Sequence, residues 1–134
     1  MSLQYLNPDG LHSNPAFTQA IIVPPGTATV HIGGQNAMDA WGEIVGAGDI
    51  AAQAEQVFRN IETALTAAGT SLEHVIKWNV HVVEGQPLEP AFGVIQRVWA
   101  GRPNPPLITM LYVSGLANPD FLLEIDAVAA LPQS

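Results

Sequence analysis

At 134 residues, the chain is long enough for one domain around a single core, since domains most often hold roughly 100–150 residues. Four Lys and Arg against twelve Asp and Glu give a net charge of −8, a field that repels polyanions and argues against nucleic acid or an anionic membrane as partner. The lack of cysteine excludes disulfides, thiolate nucleophiles and Cys-ligated zinc, and fits a reducing, cytoplasmic setting.

Residues 3–6 are a weak strand candidate. Residues 17–22 and 29–33 read as two strands that pair through the turn PPGT at 24–27. From 49 to 68 the apolar residues Ile50, Ala54, Val57, Phe58, Ile61, Leu65 and Ala68 recur every three or four positions, the stripe of an amphipathic helix, with Asp49 to start it and Gly69 to stop it. Residues 74–83, HVIKWNVHVV, alternate strictly: Ile76, Trp78, Val80 and Val82 fall on one face, Lys77, Asn79 and His81 on the other. A second helix is expected over 87–100, with Leu88, Phe92, Ile95 and Trp99 inward. The run LITMLYV at 107–113 carries no charge and reads as a strand. Residues 121–129 alternate again, Leu123, Ile125 and Ala127 against Glu124, Asp126 and Val128.

This order predicts one α+β domain over residues 1–134, with a six-stranded mixed sheet and two helices on one face. The other face is expected to carry His31, Gly33, Lys77, Asn79, His81, Ile108, Met110, Tyr112, Glu124, Asp126 and Val128. Charged residues are only 12% of the chain, about half the usual share, so that face calls for burial by self-association, with ligand pockets where copies meet.

The segments AAQAEQVFRNIETALTAAG, VIKWNVHV and LEIDAVA, with IGGQ at 32–35, resemble the RidA/YjgF family over nearly the whole chain. The resemblance implies a chorismate-mutase-like fold, a homotrimer whose sheets form a central barrel, and three interface pockets. Full-site members hydrolyse reactive enamines and imines to ketoacids and ammonia; an older label for the family is ribonuclease. The family's carboxylate-binding arginine falls on Ile108, or on Leu107 or Thr109 in a register one residue off, its cysteine on Met110, its N-terminal tyrosine on Phe17, the serine before GQ on Gly33 and the second-helix asparagine on Phe92. Glu124 matches the glutamate that activates water. Ile108 cannot hold a carboxylate, a task for an always-charged bidentate fork.

The resemblance, with no arginine at that position, thus implies a pocket for a small molecule less anionic than a ketoacid imine, lined by Phe17, Gly33, Gln35, Phe92, Ile108 and Met110. Glu124 is the candidate base, expected beside Ile108, Met110 and Tyr112 if the last two strands pair. Arg102, in the loop GRPNPP, is the candidate replacement anchor. Gln35 is expected to bridge loops. Neither cofactor nor metal is expected: His31 and His81 lack a ligand spacing, and no Ser/His/Asp logic is present. The alternative is a non-catalytic binder of a small apolar ligand. An endoribonuclease ranks last, because four dispersed cations supply no phosphate track.

Overall fold

The computed structural model describes residues 2–132. In chain order it contains β1 (Gln4–Leu6), β2 (Ala20–Ile22), β3 (Thr29–Gln35), α1 (Ile50–Ala68), a 3-10 turn (Leu72–His74), β4 (Val75–Val83), α2 (Leu88–Trp99), β5 (Leu107–Val113) and β6 (Leu123–Ala130). The α+β class holds, with both helices and a mixed sheet. The six strands divide, however, into a four-stranded sheet of order β3-β6-β4-β5 and a separate β1-β2 pair. The expected pairing of 17–22 with 29–33 does not form: β2 pairs with β1 and β3 with β6, both antiparallel. The turn itself exists, with the Thr27 amide donating to the Pro24 carbonyl at 3.3 Å. It turns the chain out of one sheet and into the other.

The first helix has the ends its sequence implies. The Ala52 amide donates to Asp49 Oδ1 at 3.2 Å, and Gly69 closes the helix at φ 84°, a conformation glycine adopts without steric cost. Ile50, Ala54, Val57, Phe58, Ile61 and Leu65 are buried, and the larger of them contribute roughly 1.5–3 kcal/mol each. Phe58 meets Trp78 of β4 edge to face, ring centres 5.5 Å apart. The helix also buries a polar residue that the apolar stripe does not reveal. Gln53, 0% exposed, donates to the carbonyls of Gly46 and Asp120 and accepts from the Leu122 amide. This one side chain fastens the loops before α1 and before β6 to each other.

Strand β4 keeps its two faces: Trp78, Val80 and Val82 are buried, while Lys77, Asn79 and His81 are half-buried on the far side. In β6, Leu123, Ile125 and Ala127 join the core opposite Val82, Val80 and Trp78. In α2 the fully buried positions are Ala91 and Val94. Leu88, Ile95 and Trp99 pack against the core as expected, and Ile95 and Trp99 also line a cavity beside it together with Phe92.

Candidate functional site

Cross-strand partners present their side chains to the same face of a sheet. Because β5 pairs in parallel with β4, Ile108 lies opposite Trp78, Met110 opposite Val80 and Tyr112 opposite Val82. These three therefore belong to the helix side, and Ile108 and Met110 pack against the core. The expectation that they share the uncovered face is overturned. That face carries Leu107, Thr109 and Leu111 from β5 beside Lys77, Asn79 and His81.

Ile108 and Met110 form the floor of a cavity of about 690 Å³. Phe92, Ile95, Gln96 and Trp99 of α2 form one wall, and the segment 14–17 forms another. The second wall is held in place by hydrogen bonds. Buried Thr18 donates its amide to the Pro106 carbonyl at 3.1 Å and its hydroxyl to the Pro105 carbonyl at 2.5 Å, tying Phe17 to the start of β5. Phe17, Phe92, Ile108, Met110 and Arg102 all line this space. Aromatic and aliphatic side chains with a few polar groups are the usual lining of a small-molecule pocket.

Arg102 supplies the one charged side chain among the residues lining the cavity. A guanidinium N–H donates to the Val98 carbonyl and the Arg102 amide to the Trp99 carbonyl at 3.0 Å, so the residue caps α2, whose last carbonyls lack helical partners. A guanidinium has five N–H donors. The indole N–H of Trp99 is buried without a hydrogen-bond partner.

Glu124 is placed elsewhere. β6 does not pair with β5, because β4 runs between them, and Glu124 lies opposite His81 on the face away from the helices. Its carboxyl rests against Gly34, where an added Cβ would stand 2.6 Å from Glu124 Cδ. A register shift between Ile32 and Gln35 marks a bulge there. Beside it, Asn79 donates to Asp126 Oδ1 at 2.6 Å, and His81 Nδ1 is buried without a partner. Within one chain, then, Glu124 and Gly33 do not line the cavity of Ile108 and Phe92. Nor does Gln35, whose side chain donates back to the Gly33 carbonyl at 3.1 Å rather than bridging loops. Asn60 bridges instead, donating to the carbonyls of Asn36 and Met38.

Nothing in the sequence alone marks Trp78, Ile95 and Trp99 as lining residues of this cavity. The available signal was the spacing of Phe92, Ile95 and Trp99 at i, i+3 and i+7, which serves a core and a cavity wall equally well.

A two-helix α+β domain with these strand spacings and an apolar cavity against its edge strand belongs to a recognisable class. The sequence model of the endoribonuclease L-PSP family matches residues 10–131, and the chain belongs to that family, also known by the names Rid and YjgF. YyfB of Yersinia pestis, a Rid-family protein, is 32% identical with a TM-score of 0.85, over 98% of this chain and 100% of that one. Protein DfrA of Myxococcus xanthus is 30% identical over 125 residues, 89% of this chain and 92% of DfrA. TdcF of Escherichia coli, solved with bound serine, is 26% identical with a TM-score of 0.71, over 82% of this chain and 85% of that one. No helix among the described residues is long and apolar enough to cross a membrane.

Proposed function

We propose that this chain is a RidA-like protein, assembling as a homotrimer, that binds a small aromatic or apolar metabolite without a carboxylate in the cavity between α2, β5 and the segment 14–17. The carrying observation is the floor of that cavity. Ile108 and Met110 line it together with Phe17, Phe92 and Trp99, where the family resemblance calls for an arginine. A carboxylate entering here would lose its hydration, costing several kcal/mol, with Arg102 as the one charged lining residue to answer it. TdcF binds serine; an amino acid of that kind lacks the apolar surface that this lining rewards.

The test uses matched probes, a neutral aromatic amide and the carboxylate of the same ring. The amide should raise Tm in proportion to the logarithm of its concentration and the carboxylate should not. Ile108→Arg should reverse that preference, and Phe92→Ala should weaken the amide. If the native chain takes the carboxylate at least as well as the amide, the reading is wrong.

A second reading, hydrolysis of a neutral imine or enamine, is favoured by the fit of the Glu124 carboxyl against Gly34. Since Glu124 is away from the cavity of its own chain, the water-activating carboxylate would come from a neighbouring copy. Turnover that survives Glu124→Ala would eliminate this reading. An RNA substrate is disfavoured by charge: Arg59 and Arg97 both pair with Glu55, Arg102 caps α2, Lys77 is half-buried on the sheet face away from the helices, and these four form no basic track among the described residues.

A further inference from the structure

We infer that Trp41 is a site residue supplied in trans: its ring seats against the aromatic cavity of the next copy of this chain. The inference rests on the reading that the cavity is the ligand site. Trp41 is 85% exposed, an unusual state for a side chain that buries roughly 150–250 Å² when packed. The exposure is not the result of slack backbone. Asp39 Oδ1 accepts from the amides of Trp41 and Glu43 at 2.9 and 3.0 Å, and the Asp39 amide donates to the Glu43 carbonyl at 2.9 Å. Buried Ala37 closes the loop by accepting from the Val45 amide at 2.8 Å, and Asn60 of α1 grips its base. A rigid loop holds an indole out in water.

Its place in the fold says where the indole can go. The loop leaves β3, one edge of the sheet, whereas the cavity lies against β5, the other edge. Three strand spacings, roughly 14 Å, separate the two edges, so Trp41 does not fill its own cavity. A projecting ring on one edge and a matching hollow on the other make a head-to-tail contact between copies, the kind that closes into a ring when the rotation allows. The charges agree: Asp39 and Glu43 flank Trp41, and Arg102 is the charged residue at the hollow, where an indole face can also lie on its guanidinium. Strand β5 exposes Thr109, Leu111 and Tyr112 without a charge along its length, and an uncharged free edge of this sort needs a partner. Seated there, Trp41 would narrow the cavity mouth and limit ligand size.

The chain has no cysteine, so cross-linking is free of background. Ala40, beside Trp41, and Ala16, in the cavity wall, are both exposed. With a short bismaleimide, a chain carrying both Ala40→Cys and Ala16→Cys should give covalent oligomers, and each single variant none. Trp41→Ala should raise the dissociation constant of the assembly at least about 25-fold, the loss typical of a tryptophan hot spot, and Trp41→Phe should retain most of the affinity. Cross-linking of Ala40→Cys with itself would overturn the inference, as would an assembly unchanged by Trp41→Ala, or a monomeric native chain. Phe92→Ala separates the two proposals. If it weakens the amide probe while Trp41→Ala changes nothing, the trans contact falls and the cavity reading stands; if the cross-links form but no probe binds, the reverse holds.

Discussion

Replacing Gly34 by alanine separates the role of Glu124 from the stability of the fold. The added Cβ would stand 2.6 Å from Glu124 Cδ, 2.7 Å from Oε2 and 3.0 Å from Cγ. Comfortable carbon contacts begin at roughly 3.5 Å, so the carboxyl must retreat by about 1 Å. The clash is with the free end of a flexible side chain, and moving it off its preferred rotamer costs about 0.5–1.5 kcal/mol. The alanine in turn stiffens the unfolded chain and returns about 0.4–1 kcal/mol. The net change is within about 1 kcal/mol, which for a domain of this size shifts Tm by no more than about 4 °C. Catalysis is less forgiving, because a misplacement of about 1 Å can cost on the order of 100-fold. Calorimetry and a turnover assay on neutral imines, run on one preparation with Glu124→Ala alongside, give both readings. If Glu124 activates the water, Gly34→Ala melts nearly normally and turns over slowly. Full activity in Gly34→Ala beside an inactive Glu124→Ala would refute the reasoning, and so would a Tm loss above about 10 °C, which would mean that the backbone rather than the carboxyl needs this glycine.

Gln53→Leu should be the most damaging single change in α1: it strands the buried Leu122 amide and the carbonyls of Gly46 and Asp120. A loss of about 3 kcal/mol or more is expected, visible as a lower urea midpoint, and a loss below about 1 kcal/mol would show that water replaces the amide. Burial raises the Tyr5 phenol above its ordinary 10.0, so the folded state favours the neutral form. The stabilisation is complete below about pH 10 and fades as pH rises through the elevated folded value; Tyr5→Phe should remove that phenol's share of the alkaline decline in urea midpoints measured from pH 8 to 11.

The sequence carried most of the fold because its elements agree with their own periodicities. Period 3.6 with an Asp–Gly pair of caps defines α1, and strict alternation defines β4 and β6. Strand adjacency was not legible in the same way. Alternation tells which residues of a strand share a face, but in the uncharged run of β5 every residue could face either way, and only the pairing with β4 settles it. One wrong neighbour, β6 in place of β4, was enough to bring Ile108 and Glu124 together in expectation when a sheet lies between them.

That separation also explains how the chain can hold both an apolar pocket and a half-buried carboxylate without conflict. A glutamate inside the cavity of Phe17, Phe92 and Ile108 would need a donor to offset its desolvation, and the one charged lining residue, Arg102, already caps α2. On the far face Glu124 keeps company with polar neighbours, the Asn79–Asp126 pair and His81. Within one chain, then, the carboxylate and the pocket stay on opposite faces of the sheet. If the proposed contact seats Trp41 at the hollow of the next copy, turnover of a neutral imine requires in addition that the same contact present Glu124, carried on the inner strand β6, to that hollow, and loss of turnover in both Trp41→Ala and Glu124→Ala is the result expected.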